Sequence, residues 1–319
     1  MHDVSCGQGS AVRKARAGVV VLAMVAAACT PTAGTSTTST SDFSSTVPTT
    51  TPSSTTSTIP TTAPSSTTTP PNEHVTVYYL LDDVGEVNRP GPSLVPVDRI
   101  AASDDLAATL QALLDGPTQA QQQGVPAMSS AIPVGTSVLG VSVADGVATV
   151  DLSNEFESGG GSFSVMARLA QVVYTATRSE SVGAVSFQVE GESVTTFSSE
   201  GLVLDGPQTR TDYQDFIPMI FLDQPTYGGP LGNPAHLEGE AAVFEAVFQA
   251  VITDSDGLII AEPPYLMTTN GMGWGTFDAT IPYQVDEPQW GSVIVWEDSA
   301  KDGSQINIRE YPVWLSPAP

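Results

Sequence analysis

The sequence predicts an α+β domain followed by an all-β domain, both behind an N-terminal segment that has no hydrophobic core. Residues 30–71 contain 35 Ser, Thr or Pro among 42 positions, so they have no apolar face to bury. From residue 72 to about residue 210, helical and strand periodicities alternate, which is typical of an α+β layer domain. From residue 211 onward, short β-branched stretches recur between Gly and Pro, which is typical of an all-β domain.

The first 28 residues have the features of an export signal. A basic stretch at 13–16 precedes an apolar run at 17–28, which is shorter than the roughly 20 residues needed to span a membrane. Residues 25–29 resemble a bacterial lipobox, although Ala26 stands where Leu, Val or Ile is usual. The resemblance implies cleavage before Cys29 and acylation of its thiol. The alternative is ordinary cleavage after the small residues, which leaves Cys29 as a free thiol.

Residues 29–71 are predicted to be a disordered tether, because ordering them would lose conformational entropy without burying apolar surface. Ser/Thr/Pro tracts in exported proteins often carry O-glycans, but a plain spacer is the preferred interpretation. The other cysteine, Cys6, leaves with the leader, so the exported chain is predicted to have no internal disulfide. The predicted location is the outer face of the cell membrane, and the predicted membrane contact is a lipid on Cys29.

Acidic residues dominate the charge of the chain. There are 35 Asp and Glu against 10 Lys and Arg, for a formal net charge of −25, and residues 72–319 hold 33 of these acids and 7 of the bases. A nucleic-acid partner is excluded, because phosphate recognition needs clustered Lys and Arg. The same balance argues against adsorption to anionic lipid headgroups.

The predicted α+β domain, residues 72–210, begins with a buried strand at 75–81, where apolar residues occupy both faces. A polar stretch is predicted for residues 82–96. Ser103 is the predicted N-cap of a helix with four leucines on one face, and Gly116-Pro117 ends that helix. A long polar loop is expected between this helix and the next strand.

A β-hairpin is predicted next, with strands at 138–143 and 147–152 around Asp145-Gly146, the dipeptide favoured in type I′ turns. The remaining predicted elements are a helix and two strands, at 162–178, 185–189 and 193–197. Three glycines at 159–161 are expected to give the helix a flexible start. The predicted order is therefore β-α-β-β-α-β, with a further short strand.

These segments together resemble the GerM-type (GerMN) domain of sporulation and spore-germination proteins. The resemblance covers about residues 75–205, and it depends on the order and spacing of the segments rather than on one motif. The segments that carry it are 113–117, 132–136, 145–153 with 155–156, 171–175 and 189–191. It implies a bacterial envelope protein of the kind that includes actinobacterial lipoproteins, and it implies no catalytic residues.

The all-β domain is predicted for residues 211–319, after a polar linker at 206–215. Strands are predicted at 274–283, 292–296 and 305–315. All four tryptophans of the chain lie in this region, at Trp274, Trp290, Trp296 and Trp314. Pro312 predicts that the last strand is an edge strand or is broken. Residues 240–252 fit either a helix or a pair of strands, because the run is mostly apolar, and the neighbouring short strands favour the strands. The strand interpretation places one set of side chains on a common face: Phe244, Ala246, Phe248, Ala250 and Ile252.

This second domain resembles the immunoglobulin-like domain of bacterial spore-germination proteins, which often follows a GerM-type domain. The resemblance covers about residues 217–315. The segments that carry it are 238–241, 243–245, 254–257, 274–277 and 302–313. It implies a β-sandwich with a role in extracellular contacts, and such a sandwich does not require a disulfide.

No catalytic motif or cofactor-binding fingerprint is present in the sequence. Outside the leader the histidines are His74, beside the tether, and His236, in a predicted Pro/Gly loop at 225–237, and both are interpreted as surface residues. Asp254-x-Asp256-Gly257 is similar to the start of a calcium loop, but Tyr265 stands where such a loop needs Glu, which favours a plain hairpin turn. No cofactor, metal ligand or catalytic residue is predicted, and no binding residue can be named.

These observations predict a non-enzymatic, lipid-anchored protein of the cell envelope. It would act as a binding or assembly module in envelope, sporulation or germination-type processes, toward an envelope protein or the cell wall. One alternative is an envelope glycan hydrolase with paired carboxylates, which two buried carboxyls facing each other across a deep cleft would favour. Another alternative is a calcium or ligand sensor at the Asp254 turn.

Overall fold

The computed structural model describes residues 73–82, 91–197 and 201–319. Cys29, the predicted leader and the predicted tether lie outside these residues. A mixed α+β region precedes a region made largely of strands, so the predicted fold class is confirmed.

The α+β region opens with a small antiparallel sheet in the order β2-β1-β3. Its strands are β1 (Glu73–Leu81), β2 (Ser93–Ala101) and β3 (Met128–Ser129). β1 is buried along most of its length, as predicted. The prediction of a polar stretch up to Pro96 was wrong, because β2 already includes that proline and pairs it with Tyr78. A proline is tolerated there because β2 is an edge strand of this sheet.

Helices pack against this sheet. They are α1 (Leu106–Leu114), α2 (Gln119–Gln122) and α3 (Ser162–Ala176). The N-cap of α1 is Asp105 and not Ser103, because Asp105 Oδ1 accepts a hydrogen bond from the Ala108 amide at 2.9 Å. Ser103 instead donates to the other oxygen of Asp105. The short helix α2 interrupts the loop that the sequence predicted as continuous.

A second sheet, in the order β4-β5-β6-β7, contains the predicted hairpin. The strands that complete the first region are β4 (Val138–Ala144), β5 (Val147–Leu152), β6 (Ala184–Val189), β7 (Glu192–Ser193), β8 (Thr196–Phe197) and β9 (Leu202–Val203). Asp145 and Gly146 both have positive φ, 51° and 78°, as a type I′ turn requires. β5 and β6 run parallel, and α3 forms the crossover between them.

Two of the three glycines before α3, Gly159 and Gly160, pack around a buried arginine rather than serving as a flexible start. Arg168 is 1% exposed, and its guanidinium donates to the carbonyls of Phe156 at 2.6 Å, Ser158 at 3.0 Å and Gly159 at 2.9 Å. A Cβ at Gly160, where φ is +85°, would lie 2.7 Å from Arg168 Nη2. The loop therefore needs glycine both for its backbone conformation and for space.

The second region contains two main sheets packed around their own core. Its strands are β10 (Ile220–Gln224), β11 (Pro230–Leu231), β12 (Ala235–Ala241), β13 (Val247–Thr253), β14 (Ile259–Ala261), β15 (Leu266–Met267), β16 (Gly275–Ile281), β17 (Gln289–Asp298) and β18 (Gln305–Leu315). One sheet has the order β10-β12-β16, and the other has the order β11-β18-β17-β13-β14, with β15 also paired to β13. This two-sheet arrangement is the expected sandwich architecture.

The ambiguous segment 240–252 is made of strands, as the preferred interpretation held. Phe248, Ala250 and Ile252 are buried along β13, but Phe244 is 56% exposed, so the predicted common face was wrong at that end. Glu245 and Ala246 have positive φ, 55° and 62°, and this turn of the backbone breaks the alternation of faces.

Pro312 does not break β18, which continues from Gln305 to Leu315. β11 pairs with β18 only at Trp314 and Leu315, so the outer side of β18 at Pro312 is not covered by a strand among the described residues. The Pro312 carbonyl accepts a hydrogen bond from the Gly228 amide at 2.8 Å. Pro312 therefore occupies a position where the ladder does not need its missing N–H.

Candidate functional site: the domain junction

The segment predicted as a polar linker is part of the folded core. Residues Arg210–Phe216 form two short 3₁₀ turns with a kink at Tyr213, and they pack against α3. Tyr213 and Phe216 are buried, and the Phe216 ring lies 5.4 Å from that of Phe163 in α3. Phe216 and Phe221 belong to the same hydrophobic cluster as the first region. The core of the first region thus extends into the first strand of the second.

Three polar side chains meet where the two regions join. The phenol of Tyr78, in β1, donates a hydrogen bond to Oδ1 of Asp223, in β10. The Arg210 guanidinium lies between the regions, and its Nη1 contacts the other oxygen of Asp223 at 2.8 Å. Its Nη2 also donates to the Tyr78 oxygen at 3.2 Å. We name these three residues the junction triad.

Arg210 is held by further contacts with the end of α3. Its Nε donates to Thr177 Oγ1 at 2.9 Å, and its Nη2 donates to the Tyr174 carbonyl at 3.3 Å. The guanidinium also lies over the Tyr174 ring, 4.7 Å from the ring centre, where the negative face of the aromatic ring attracts a cation. Arg178 adds a second cation, with its Nη1 3.5 Å from Asp223 Oδ2.

Burial and neighbouring charges shift the pKa values of Tyr78 and Arg210. Burial raises the pKa of the Tyr78 phenol well above its ordinary value of 10.0, and the negative charge of Asp223 raises it further. Burial alone would lower the pKa of Arg210, but Tyr78 and Asp223 outweigh that effect and raise it. At neutral pH Tyr78 is therefore a hydrogen-bond donor and Arg210 a cation. Asp223 accepts hydrogen bonds from both side chains, so each member of the triad contacts the other two.

Other contacts extend the junction along β2. Arg309, in β18, donates to Ser93 Oγ at 2.8 Å. The Tyr227 amide donates to the carbonyl of Pro96 at 2.8 Å. The second region therefore covers the edge strand of the first sheet.

Basic residues are scarce in this chain, and the structure places several of them in the interior. Arg168 and Arg309 are buried, while Arg178 and Arg210 are largely covered. No local pattern in the sequence points to the junction triad, because its members are far apart along the chain. The one available hint was that a strongly acidic protein keeps few cations, so each cation is a candidate for a structural ion pair.

A cavity of about 360 Å³ lies beside the junction. The charged groups that line it are Arg210, Asp223, Glu238, Glu240 and Asp278. Asp223 is the buried carboxylate among them, and both of its oxygens are engaged by Tyr78 and Arg210. A glycoside hydrolase needs a pair of carboxyl groups that are free to exchange protons or attack the sugar. Asp223 does not meet that requirement.

The other buried carboxylate among the described residues, Glu297, lies on the opposite sheet in β17. One of its oxygens accepts from the Phe244 amide at 2.7 Å, and the other accepts from Asn307 Nδ2 at 3.0 Å. The buried carboxyls Asp223 and Glu297 thus have separate partners on separate sheets. They do not form the facing pair that would favour the hydrolase alternative.

The two histidines within the described residues each contact a carboxylate that is not a member of the junction triad. His74, in β1, is exposed and its Nδ1 is 2.8 Å from Asp98 Oδ2. The prediction that His236 lies in a loop was wrong, because His236 belongs to β12, with its Nε2 2.9 Å from Asp278 Oδ1. Each imidazole ring contacts one carboxylate, and neither contact includes a serine.

The Asp254 segment forms the hairpin turn that the sequence favoured. Asp254 Oδ1 accepts from the amides of Asp256 at 3.0 Å and Leu258 at 2.9 Å, and β13 pairs antiparallel with β14 across the turn. The carboxylate is thus used to close the turn. Within the described ranges, no three side chains of His, Cys, Asp or Glu are grouped so that they could hold a metal ion. None of the described helices combines the length and apolarity needed to cross a bilayer.

The fold and junction define a two-domain protein in which a small α+β domain is fused to an immunoglobulin-like sandwich. Residues 76–195 match the family model Germane, described as "Sporulation and spore germination". Residues 219–304 match the family model Gmad2, described as "Immunoglobulin-like domain of bacterial spore germination". The first region is therefore similar to GerMN-type domains and the second to the immunoglobulin-like domain of bacterial spore-germination proteins, and neither family description names an enzymatic activity.

Two solved structures from Bacillus subtilis are similar to the chain. The tandem GerMN domains of the sporulation protein GerM share 24% identity, with 44% of this chain and 46% of that chain covered and a TM-score of 0.35. The first GerMN domain of the same protein shares 19% identity, with 44% and 99% covered and a TM-score of 0.34. The match thus spans less than half the length of the tandem-domain structure. No curated protein matches the chain at a significant level.

Proposed function

We propose that this protein is a lipid-anchored binding or assembly module of the bacterial cell envelope, with a role of the sporulation or germination type and no catalytic step of its own. The observation that carries the proposal is the junction triad. Tyr78, Arg210 and Asp223 hold two domains in a fixed relation through buried polar contacts. A fixed pair of domains presents its outer surfaces in a constant geometry, which is what an assembly module requires.

The use of the buried carboxylates supports the non-enzymatic part of the proposal. Asp223 and Glu297 are both saturated by structural partners. Carboxyl groups that perform acid and base chemistry need access to a substrate proton. In this proposal the partner is an envelope protein or the cell wall, and the strongly acidic domains exclude nucleic acid.

The proposed anchor is a lipid on Cys29, which would place both domains on the outer face of the membrane. The test is fractionation of cells that produce the full chain or its Cys29→Ala variant. We expect the unmodified chain in the membrane fraction and the variant in the soluble exported fraction. An unchanged membrane fraction for the variant would overturn the anchor.

The binding role is tested by affinity capture from chemically crosslinked envelopes, with the junction variant Asp223→Ala run beside the unmodified chain. We expect a discrete set of envelope partners for the unmodified chain, and a reduced set for the variant because its domains are no longer held together. Catalytic turnover of purified wall glycan by the protein, measured as release of reducing ends, would contradict the proposal.

A further inference from the structure

The hairpin strand β4 forms an open edge of its sheet. In the order β4-β5-β6-β7, β4 is hydrogen-bonded to β5 on one side, and no strand of the described ranges pairs with its other side. Leu139 is 50% exposed and Val143 is 46% exposed, so solvent reaches this edge. An edge strand presents a row of unpaired backbone N–H and C=O groups to a neighbouring chain.

The hairpin turn determines which backbone groups of β4 point outward. The two-residue turn Asp145-Gly146 places Ala144 opposite Val147, and the pair that flanks such a turn exchanges both of its hydrogen bonds. Hydrogen-bonded and non-hydrogen-bonded pairs alternate along an antiparallel ladder. The N–H and C=O groups of Val141 and Val143 therefore point away from β5, toward the open edge.

The sequence of β4 has few of the devices that keep an edge strand from pairing with other chains. Natural edges are commonly protected by charged side chains, by proline or by bulges. The strand reads VLGVSVA and contains neither a charged residue nor a proline. A register shift lies near its start, between Val138 and Gly140. The remaining part of β4 is regular and can accept a further strand.

A cavity of about 490 Å³ adjoins the open edge at Val143. Val143 lies opposite Ala148, which is fully buried, so the cavity is on the inner side of the sheet. Its apolar lining consists of Val75, Leu106, Val143 and Val182. Strand-addition sites combine main-chain hydrogen bonds with pockets for alternate side chains. The cavity can therefore receive an aliphatic side chain of a strand that is added to β4.

The charges at this cavity favour a basic segment. Asp104 and Asp105 line it and are exposed. The other charged or titratable groups of the lining, Arg178 and His74, each contact carboxylates that do not line the cavity. Residues 72–319 hold 33 acidic residues against 7 Lys and Arg, so their field attracts a cationic partner and repels a second copy of the chain.

We propose that β4 binds an extended segment of a partner protein as an added strand, and that this segment carries Lys or Arg between aliphatic residues. Its backbone pairs with the outward groups of Val141 and Val143. Its aliphatic side chains enter the cavity, and its cations lie near Asp104 and Asp105. The inference rests on the proposed binding role and names the chemistry of the partner.

The test measures the fluorescence anisotropy of a labelled peptide of four Lys-Val repeats, titrated with the full chain in mild detergent. Val143→Pro removes an outward N–H and leaves the ladder to β5 intact, and its matched control Val143→Thr keeps that N–H. We expect saturable binding with a Kd below about 1 mM, binding at least about tenfold weaker for Val143→Pro, and nearly normal binding for Val143→Thr.

Two further peptides separate backbone pairing from charge attraction. A peptide with Glu in place of Lys should not bind, because Asp104 and Asp105 repel it. The Lys-Val peptide with every backbone amide N-methylated keeps its charge but has no N–H donors, so we expect it to lose at least about tenfold in affinity. Asp104→Asn should weaken binding of the Lys-Val peptide and leave the N-cap residue Asp105 in place.

The proposal is overturned if the Lys-Val peptide shows no saturable binding, or if its N-methylated form binds equally well. Equal binding by Val143→Pro and Val143→Thr also overturns it, and equal urea midpoints of these two variants exclude misfolding as the cause of a difference. Self-association of the unmodified chain that Val143→Pro abolishes would make a second copy the occupant and reject the basic partner. Full retention of crosslinked envelope partners by Val143→Pro would reject β4 as their site and leave the proposed binding role standing.

Discussion

Tyr78 and Asp223 are 145 positions apart in the chain and share a buried hydrogen bond. Tyr78 belongs to the first strand of the GerMN-type domain, and Asp223 belongs to the first strand of the immunoglobulin-like domain. Arg210 contacts both side chains from the segment that connects the domains. The connection between the domains is therefore a desolvated polar cluster and not a flexible linker.

Replacing either partner of this hydrogen bond should destabilise the protein, by different amounts. Asp223→Ala leaves Arg210 largely buried without its principal counter-ion, and we expect it to lower the free energy of unfolding by about 3–5 kcal/mol. Tyr78→Phe removes one buried donor and should lower it by about 1–3 kcal/mol. Urea unfolding of both single variants and the double variant measures these values, and the double variant should lose less than the sum.

The control for the comparison of Asp223→Ala, Tyr78→Phe and their double variant is Asp278→Ala. Asp278 lies in the same sheet as Asp223 and pairs with His236. Both of these side chains are exposed, so their ion pair contributes little. Equal losses for Asp223→Ala and Asp278→Ala would show that the junction triad has no special role.

Arg210 should determine whether the two domains unfold together. It contacts Tyr78 and Thr177 in one domain and Asp223 in the other. Its side chain therefore couples the unfolding of one domain to the unfolding of the other. We expect one calorimetric transition for the unmodified chain and two separate transitions for Arg210→Met. A single transition of unchanged cooperativity in the variant would contradict a coupling role for Arg210.

Stability should fall at alkaline pH, and Tyr78 should cause part of the fall. Its pKa is raised in the folded protein above the ordinary value of 10.0, so above that pH the unfolded chain releases a proton that the folded protein retains. The contribution of Tyr78 to the free energy of unfolding is complete below about pH 10. It is lost as the pH rises toward the pKa of Tyr78 in the folded protein, at up to about 1.4 kcal/mol per pH unit. Urea unfolding from pH 8 to pH 11 should show a shallower decline for Tyr78→Phe.

The loss of stability at alkaline pH should not vanish in Tyr78→Phe. Burial also raises the pKa of Tyr79 and of Tyr213, so these two residues contribute in the same direction. Identical pH profiles for Tyr78→Phe and the unmodified chain would refute the assignment to Tyr78.

The glycine loop around Arg168 offers a sharp comparison between neighbouring residues. Gly160→Ala introduces a Cβ 2.7 Å from Arg168 Nη2 at a φ of +85°, and we expect it to lower the free energy of unfolding by more than about 1 kcal/mol. Gly161→Ala, with φ of −97° and no atom within 4 Å of the added Cβ, should be nearly neutral. Thermal or urea unfolding distinguishes the two, and equal effects would argue against the close packing of Gly160.

Local patterns predicted the elements whose determinants lie close together in the chain. The Asp145-Gly146 hairpin and the helix α3 were predicted correctly, because a turn dipeptide and a helical periodicity each act over a few residues. The strand β2 was missed, because Pro96 argues against a strand unless that strand lies at an edge. The N-cap was placed at Ser103 rather than Asp105, since either residue can cap a helix and only the backbone geometry selects one.

The sequence by itself determined the class of each domain, their order and the acidic net charge. The tertiary structure alone decided that Tyr78, Arg210 and Asp223 meet and that Trp290 and Trp314 face outward as a pair. The reason is physical. Periodicity and turn chemistry act between near neighbours, whereas a buried ion pair or a cross-strand pair depends on which distant strands fold together.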